Sequence, residues 1–425
     1  MSMFKKQMKW LRHASRNSSA FILSYLIPRS PKRWVFGSNM GFAGNAKYLY
    51  LYLKNHPEEG ITPLWIAGNK HEYKALKSAG INVAKRWSKK GTWGALRAGY
   101  FVYNSYAPDI HLPAMGCAVK VNLWHGVGIK NIEYEISVGP LHDIFHSDKL
   151  SVRYDNKWFF IRPDIFLSTS PIMTDHFSRC FRIPHDRCIE SSYPRNEILR
   201  YDRERLVDLI EETASEQMMA VIKRSLQFKR LYVYMPTMRD SGGDFFKSIG
   251  WDFDAINEAL RKTDSCMIIK THPLTYLDLS EHHCSNIFQV GRDTDPYPLL
   301  ALSHVLITDY SSVYYDYILM PDKETLLLIP DMDEYLSADR DLAFPYDSMT
   351  GGKKLYSIKQ LVEHIESGTG QSDDEKSENR AIARKFWSNP DDTCHDLVAK
   401  ILNHKTKHGS CWFTGFIRPP QGIIF

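Results

Sequence analysis

Short apolar runs alternate with amphipathic segments through the first half of the chain. The runs Trp34–Gly37, Thr62–Ala67 and Ile165–Ser168 predict buried strands, and segments such as Asn45–Leu53 between them predict helices. Strands that alternate with helices at this spacing form a parallel sheet covered by helices on both faces. The first half therefore predicts a doubly wound α/β domain.

The same alternation restarts in the second half, after a charged segment. Residues 206–227 are helical in pattern and contain no clear strand, so they predict a connection. Three strands of the second series are Leu231–Met235, Met267–Lys270 and Val305–Thr308. We predict a basic segment at residues 1–30, an acceptor domain at 31–205, and a nucleotide-donor domain with closing helices at 226–425. Two such domains place a ligand cleft at the carboxyl ends of their strands.

The N-terminal segment combines basic and large apolar side chains. Lys5, Lys6, Lys9, Arg12 and Arg16 are interspersed with apolar residues from position 4 to position 27. This pattern fits an amphipathic helix on an anionic membrane surface, and equally a basic helix packed on the first domain. The segment contains no apolar run long enough to span a membrane and no secretory signal.

Composition narrows the class of protein further. The hydrophobic fraction of 43% and charged fraction of 24% are those of a folded globular chain. A net charge of +5 over 425 residues is too small to indicate a nucleic-acid partner. The seven cysteines are scattered and form no C-x-x-C pair, which argues against a disulfide framework or zinc knuckle and favours a reducing compartment.

Four segments carry reactive side chains at or just beyond predicted strand ends. They are Trp124-His125-Gly126 with Lys130, Pro236-Thr237-Met238-Arg239, Lys270-Thr271-His272-Pro273, and Thr308-Asp309-Tyr310-Ser311-Ser312 with Asp316. Each has an ordinary structural alternative: a histidine bonded in a turn, an Arg239–Asp240 surface ion pair, or a helix capped by Ser and Asp side chains. We expect their strand-end positions to bring them together at one cleft.

The chemistry of the four segments favours a phosphate-bearing ligand. The predicted helix after Ser312 would present free N–H groups and a positive dipole end to an anion. Arg239 can hold phosphate oxygens in a bidentate manner, and His125 and His272 can transfer protons near neutral pH. Paired carboxylates and metal-ligand clusters are missing from the pattern. It therefore predicts that protein groups, without a metal ion or other cofactor, stabilise the charge of a diphosphate.

In their order and spacing, these segments resemble the CDP-glycerol glycerophosphotransferase family, which builds teichoic acids and related capsular polymers. The stretches that carry the resemblance are Gly44-Asn45-Ala46-Lys47-Tyr48-Leu49, Trp124-His125-Gly126 with Lys130, Tyr193-Pro194-Arg195-Asn196-Glu197, Pro236-Thr237-Met238-Arg239-Asp240, Lys270-Thr271-His272-Pro273, and Ile307-Thr308-Asp309-Tyr310-Ser311-Ser312 with Asp316. It covers roughly residues 33–402.

The resemblance implies a glycosyltransferase-B (GT-B) fold with the active site between two Rossmann-like domains. It implies metal-independent transfer of an alditol phosphate from CDP-glycerol or CDP-ribitol to a hydroxyl of a lipid-linked or polysaccharide acceptor. CMP would be released, at the cytoplasmic face of the membrane and without a nucleic-acid partner. The implied base is His125, and His272 would hold or protonate the leaving diphosphate. The implied substrate-binding residues are Trp124, Gly126, Lys130, Arg195, Pro236, Thr237, Arg239, Lys270, Thr308, Asp309, Ser311, Ser312 and Asp316.

Some positions depart from the family pattern, mostly on the acceptor side. Val127-Gly128-Ile129 replaces the usual Thr-Pro-Leu, Ser192 replaces a glycine and Glu197 an aspartate. Two other functions fit parts of the sequence. One is a nucleotide-sugar glycosyltransferase of surface polysaccharide synthesis on the same fold. The other is a non-catalytic scaffold at the membrane surface, which would have no need of His and Arg at strand ends.

Overall fold

The protein contains two parallel sheets, each in its own lobe. A computed structural model describes residues 16–405, except 138–139, 214–215, 240–244, 272–274, 276, 278, 280–281, 283, 292–293 and 339–340. The first lobe holds a seven-stranded sheet of order β3-β2-β1-β4-β5-β6-β7, and the second a six-stranded sheet of order β10-β9-β8-β11-β12-β13. The strands are β1 (Ser30–Gly37), β2 (Thr62–Ala67), β3 (Val83–Lys85), β4 (Ala98–Tyr103), β5 (Val119–Asn122), β6 (Ile165–Ser168), β7 (Cys188–Glu190), β8 (Arg230–Met235), β9 (Ser265–Ile269), β10 (Ile287–Gln289), β11 (Val305–Thr308), β12 (Glu324–Leu328) and β13 (Lys353–Leu355).

Helices connect the strands and cover both faces of each sheet. They are α1 (residues 16–26), α2 (Gly44–Asn55), α3 (Lys70–Ser78), α4 (Lys89–Arg97), α5 (Pro140–Phe145), α6 (Leu150–Asp155), α7 (Pro171–Phe181), α8 (Arg203–Thr213), α9 (Glu216–Ser225), α10 (Phe245–Ser248), α11 (Phe253–Lys262), α12 (Tyr297–Leu302), α13 (Val313–Tyr317), α14 (Met332–Ala338), α15 (Tyr346–Met349), α16 (Ile358–Ser367), α17 (Asp373–Phe386) and α18 (Cys394–Asn403). A 3₁₀ helix, Pro194–Arg200, begins the connection between the lobes.

The predicted strands recur with nearly the same bounds, and β2, β6 and β11 match them residue for residue. The edge strands β7 and β13 were not predicted, because their sequences Cys-Ile-Glu and Lys-Lys-Leu form no apolar run. The polar and mostly exposed stretch at residues 373–379 is the first half of α17. Ser372 and Glu375 form a reciprocal capping box that starts this helix.

The closing helix α18 returns to the first lobe. The Cys394 backbone N–H donates to Glu197 Oε2 at 2.9 Å, and Lys400 Nζ donates to the Glu190 carbonyl at 2.9 Å. The apolar face of α18, with Leu397 and Ile401, joins the main core of that lobe. We predicted from the sequence that residues 226–425 form one domain. In the structure, the last helix of this range, α18, packs against the first lobe. The predicted domain limits stay predictions.

The N-terminal helix α1 packs on the first lobe through small side chains and leaves large apolar ones exposed. Ser24 lies against Gly116, where an added Cβ would approach Ser24 Oγ to 2.3 Å. Ile22, Leu23, Tyr25 and Leu26 are exposed, Leu26 by 70%. Lys5, Lys6, Lys9 and Arg12 lie outside the described residues. Across the described part of the chain, we find no helix with the length and apolar character needed to cross a bilayer.

Candidate active site

The carboxyl ends of the strands bring the predicted segments to a cleft between the lobes. In the second sheet, β8 and β11 are neighbours at the point where the strand order reverses, and Thr237 and Asp309 follow them. The Thr237 backbone N–H donates to both Asp309 carboxylate oxygens, at 2.9 and 3.1 Å. Trp124 and His125 follow β5 of the first sheet. Both segments therefore lie where open α/β sheets bind ligands.

The His125 ring is held in one tautomer. Its Nδ1 lies 3.2 Å from the Asn104 carbonyl oxygen and 3.4 Å from Ser105 Oγ. A carbonyl oxygen can only accept a hydrogen bond, so Nδ1 carries the proton in the neutral ring. Nε2 is then unprotonated. A neutral Nε2 is the atom that a general base requires.

His125 is neutral at physiological pH. Burial of the ring lowers its pKa to about 4, with a smaller lowering from the Arg195 guanidinium, while the hydrogen bond to Asn104 opposes this shift. The side chain remains accessible from the cleft even though protein surrounds the ring. A neutral imidazole is thus present at this edge of the cleft throughout the physiological pH range.

Gly126 allows the two lobes to approach each other beside His125. A Cβ built at position 126 would lie 2.5 Å from Ser312 Oγ and 2.9 Å from Ser312 Cβ. Such contacts are too short for two saturated carbon groups. The His-Gly segment of the first lobe and the Ser-Ser segment of the second therefore form adjoining walls of one cleft.

We expect Gly126→Ala to push Ser312 away from the His-Gly segment and to lower kcat about tenfold or more, because small misplacements of reacting groups are costly. The measurement is the steady-state turnover rate. Gly41→Ala is the matched control, since no atom lies within 4 Å of an added Cβ there, although its φ of +76° adds backbone strain. An unchanged kcat in Gly126→Ala would show that the contact with Ser312 has no role in activity.

Arg195 and Asp316 form a buried ion pair that joins the lobes. Arg195 Nη2 lies 2.6 Å from Asp316 Oδ2, and Arg195 Nη1 donates to the His125 carbonyl at 2.8 Å. Asp316 also accepts hydrogen bonds from Asn196 Nδ2 and the Tyr297 hydroxyl. Burial alone would lower the pKa of Arg195, but the Asp316 carboxylate outweighs it and raises that pKa. From the family resemblance, both residues were predicted to contact the donor. In the structure, their charged groups bind each other, and the Arg195 guanidinium also binds the His125 backbone carbonyl.

A second, partly buried ion pair joins the same lobes through α2. Lys47 Nζ lies 2.7 Å from Asp295 Oδ2, and the Tyr48 hydroxyl donates to the same oxygen at 2.8 Å. Burial tends to raise the pKa of Asp295, but the Lys47 ammonium and these hydrogen bonds lower it overall. The motif at residues 44–49 therefore has a clear structural role in fixing the lobes.

The Arg239 guanidinium is bound by two carboxylates. Its Nη1 lies 3.0 Å from Asp309 Oδ2, and its Nε and Nη2 contact the two Asp331 oxygens at 2.8 and 3.1 Å. The expectation of a site without paired carboxylates is therefore wrong. Asp331 was missed because it follows β12 in sequence and meets Arg239 only in the fold. The alternative partner Asp240 lies outside the described residues, and phosphate binding by Arg239 stays a prediction.

The expected helix-start site is reduced to a short turn. Helix α13 has five residues, and its N-cap residue Ser312 makes no side-chain cap. Thr308 Oγ1 donates to the Met235 carbonyl, and the Asp309 carboxylate accepts from backbone N–H groups of Thr237 and Tyr310. Among these four side chains, only that of Ser311 bonds the helix: its Oγ accepts a hydrogen bond from the Val313 backbone N–H at 3.4 Å. The predicted capping by Thr308, Asp309 and Ser312 is therefore wrong, since other backbone groups occupy the first two side chains.

Two buried hydroxyl groups are candidates for ligand contacts on the donor side. Thr237 Oγ1 and Thr271 Oγ1 have no hydrogen-bond partner within the described part of the chain. Buried polar atoms without partners are uncommon and are often satisfied by a ligand. Thr271 was not predicted as a site residue, although it belongs to the same strand-end segment as Lys270.

The remaining predicted residues divide between the cleft and other contacts. The Trp124 ring packs against His125, with centroids 4.1 Å apart. Lys270 is buried and its Nζ donates to the Thr271 carbonyl at 3.1 Å. The Lys130 backbone forms an isolated antiparallel β-bridge with Leu342 of the second lobe, and its ammonium group lies 5.3 Å from the Tyr335 ring centroid. Pro236 is buried, and His272 lies outside the described residues, so its predicted role is not located.

Among the described residues, we find no cluster of three or more His, Cys, Asp or Glu side chains suited to a metal ion. Metal-independent transfer therefore stays a prediction to be tested in solution.

Known proteins resemble the chain in sequence and in fold. The family model for CDP-glycerol:poly(glycerophosphate) glycerophosphotransferase matches residues 19–403. A teichoic acid poly(glycerol phosphate) polymerase of Bacillus spizizenii is 24% identical over 372 residues, 84% of this chain and 89% of that protein. A teichoic acid ribitol-phosphate primase of the same organism is 24% identical over 306 residues, covering 70% of this chain and 72% of that protein.

Among solved structures, the wall teichoic acid polymerase TagF aligns with a TM-score of 0.69 at 21% identity, over 94% of this chain and 98% of that one. This match confirms the predicted two-lobed GT-B fold, and the family match confirms the resemblance found in the motifs. The chain belongs to the CDP-glycerol:poly(glycerophosphate) glycerophosphotransferase family.

Proposed function

We propose that the chain transfers glycerol phosphate from CDP-glycerol to a hydroxyl group of a polymeric or lipid-linked acceptor and releases CMP, with His125 as the base. The observation that carries this proposal is the His125 ring with a free Nε2, next in the chain to Gly126, which lies against Ser312 across the cleft. Family membership supports the class of reaction.

The reaction is a displacement at phosphorus. The acceptor oxygen forms a bond to the phosphorus that carries glycerol, and the bond from that phosphorus to the bridging oxygen of CMP breaks. The acceptor hydroxyl proton passes to His125 Nε2. Because phosphoryl transfer needs little covalent help, the rate depends on alignment and on stabilising the charge of the leaving phosphate. We assign that stabilisation to His272 and to the donor-side groups.

The donor-side groups come from three strand ends of the second sheet. Thr237 and Thr271 offer buried hydroxyls, and Ser311 and Ser312 offer hydroxyls at the start of α13. Lys270 contributes a buried ammonium beside them. Arg239 would bind phosphate directly only by exchanging one of its two carboxylate partners. We therefore assign it first to holding Asp309 and Asp331 in place.

A panel of donors tests the reaction class. The protein is incubated with CDP-glycerol, CDP-ribitol and UDP-sugars, with candidate acceptors and EDTA, and the released nucleotide is followed by mass spectrometry. We expect CMP from a CDP-alditol to persist in EDTA. Release of UDP from a UDP-sugar would identify a glycosyltransferase, and loss of activity in EDTA would overturn metal independence. The ribitol-phosphate primase among the relatives makes CDP-ribitol the second donor to test.

We propose that α1 places the enzyme on the cytoplasmic face of a membrane, where a lipid-linked acceptor or a capsule-like polymer would grow. Its exposed apolar side chains Ile22, Leu23, Tyr25 and Leu26 form one continuous part of the helix. Arg16 begins the described helix, and further basic residues precede it in the sequence. Apolar side chains beside cations favour an anionic lipid surface.

We expect Ile22→Asp with Leu26→Asp to lower binding to anionic vesicles by about tenfold or more, because two aliphatic side chains no longer enter the lipid. Vesicle co-sedimentation measures the effect. Leu402→Asp on α18 is the matched control, since Leu402 is an exposed leucine elsewhere on the molecule. Equal binding by the double variant and the native chain would show that α1 is not the contact.

The pKa of His125 sets the pH dependence. Since the base must be neutral and its pKa is lowered to about 4, kcat/KM should stay level between pH 8 and pH 5 and fall below that, with a midpoint near 4. Initial rates over this range, with samples returned to pH 7 to confirm reversibility, check the prediction. An acid limb near 6.5 would show that His125 is solvated in the free enzyme or is not the base.

A further inference from the structure

Trp124, which precedes His125, has a left-handed backbone. Its φ is +50°, a strained region that bulky residues rarely adopt. This turn redirects the chain after β5 and aims the His125 side chain at the cleft. Something in the surrounding structure must hold it there.

Three buried asparagines surround this turn. They are Asn45, Asn104 and Asn122, which are 0%, 1% and 2% exposed. Asn45 opens α2, Asn104 follows β4 and Asn122 ends β5. All three use their side chains on backbone groups of the turn or of the neighbouring segments, and the sequence analysis assigned no role to any of them.

Asn45 fixes the carbonyl groups of the turn. Its Nδ2 donates to the carbonyl oxygens of Leu123 at 3.1 Å and Trp124 at 3.0 Å. A primary amide has two N–H bonds, so one side chain satisfies both oxygens. The next carbonyl, that of His125, accepts from Arg195 Nη1. Three successive carbonyl groups are therefore oriented by side chains.

Asn122 fixes the other side of the turn. Its Oδ1 accepts from the Trp124 backbone N–H at 2.9 Å, and its Nδ2 donates to the Ser105 carbonyl at 3.0 Å. Ser105 is the residue whose hydroxyl lies beside His125 Nδ1. Asn122 thus ties the strained turn to the segment that faces the imidazole ring.

Asn104 supplies the partner of the ring itself. Its backbone carbonyl accepts from His125 Nδ1, and its side chain bonds the Ala46 N–H at 2.8 Å and the Ala43 carbonyl at 2.9 Å. Gly44, at φ +66°, leaves room for this amide, because a Cβ there would lie 2.8 Å from Asn104 Nδ2. The carbonyl that selects the tautomer is thereby anchored to the start of α2.

We propose that Asn45, Asn104 and Asn122 are positioning residues that hold the Trp124 turn and keep His125 in its Nδ1–H tautomer, with Nε2 directed to the acceptor hydroxyl. They touch no reacting atom and act through His125. This inference rests on the proposed role of His125 as the base. Asn45 and Asn122 carry the test, because their side chains bond the turn directly.

The test uses Asn45→Asp, which replaces the amide donor by a carboxylate oxygen that repels both carbonyl groups, and Asn122→Leu, which loses both bonds. Asn122→Asp keeps the acceptor for Trp124 N–H and is the conservative variant. We expect kcat to fall about 10- to 100-fold in the first two, because displacement of a reacting group by about 1 Å has an effect of this size. KM for CDP-glycerol should change less than about threefold, and Asn122→Asp should recover part of kcat.

A spectroscopic readout separates positioning from general loss of stability. In protein labelled with ¹⁵N-histidine, the His125 signals are identified by their loss in His125→Gln. The native protein should show a protonated Nδ1 and an unprotonated Nε2. Asn45→Asp and Asn122→Leu should show exchange between tautomers and, as the ring gains solvent, an acid limb that moves from about 4 toward 6.5. The charged groups near the ring are Arg195 and, through it, Asp316.

Asn286→Asp is the matched control. Asn286 is a buried asparagine whose Nδ2 donates to the Ser265 carbonyl at 2.8 Å. It directly precedes β10, an edge strand of the second sheet, and so belongs to the other lobe from His125. It should keep native kcat and the native tautomer. If Asn45→Asp and Asn122→Leu keep the native tautomer, the inference is overturned, even where kcat falls with stability. Full activity in His125→Gln would instead refute the base assignment, whatever the tautomer measurements show.

Discussion

Replacing His125 with alanine should lower kcat for CMP release by about 10²- to 10⁴-fold, while KM for CDP-glycerol stays within a few-fold. The lost step is removal of the acceptor proton, and general base catalysis contributes a factor of this size. We assign donor binding mainly to groups of the second lobe, so donor affinity should be nearly preserved. Steady-state rates and donor binding by calorimetry separate the two effects.

His111→Ala is the matched control for this variant. His111 is also a buried imidazole of the first lobe, and burial lowers its pKa to about 4 as well. It should affect thermal stability more than kcat. The same assay on His272→Ala tests the leaving-group side, where we expect a loss of kcat of similar order. Native activity in His125→Ala would rule out the base that we assign.

Replacing Arg195 with methionine should lower the free energy of unfolding by about 3–5 kcal/mol, because the Asp316 carboxylate would remain buried without its cation. Removing one member of a fully buried pair is far more costly than removing an exposed one. The variant also frees the His125 carbonyl, so kcat should fall as well. Chemical denaturation monitored by fluorescence measures the stability change.

The double variant Arg195→Met with Asp316→Asn should recover part of this loss. A neutral amide removes the buried charge and still accepts a hydrogen bond from Tyr297. Arg200→Met is the control: its 3.4 Å pair with Asp391 is exposed, and such pairs contribute at most about 1 kcal/mol. A loss of similar size in Arg195→Met and Arg200→Met would argue against a specific role for the interlobe pair.

The architecture could be predicted because its signal is local. Buried parallel strands form continuous apolar runs, and the alternation with helices fixes a doubly wound sheet. The positions of His125, Thr237 and Asp309 at strand ends then placed them at one cleft without knowledge of any distance. The contact between Gly126 and Ser312 is the structural counterpart of that expectation.

The partners of the polar side chains could not be predicted in the same way. Asp331 and Arg239 are separated by 92 positions, and Arg195 and Asp316 by 121. No periodic pattern indicates such pairs. Arg239 was interpreted as a phosphate ligand because an arginine at a strand end suits an anion, and Arg195 was interpreted as a donor contact from the family resemblance. In the fold, carboxylates of the protein occupy both guanidinium groups.

The roles of the asparagines were hidden for a related reason. Asn45 was recognised only as part of a motif, and the sequence analysis gave no role to Asn104 or Asn122. An amide that hydrogen-bonds backbone groups leaves no compositional trace, and the strain at Trp124 is not visible in sequence. Buried polar residues immediately beside a predicted catalytic residue are the signal that could have directed attention to them.

A crystal structure of the native protein with CDP-glycerol tests the central claim most directly. We predict that the diphosphate lies in the interlobe cleft, with oxygens about 3 Å from Thr237 Oγ1 and Ser312 Oγ and with the glycerol-bearing phosphorus facing His125 Nε2. A diphosphate bound away from this cleft, or with its glycerol-bearing phosphorus on the side remote from His125, would contradict the account.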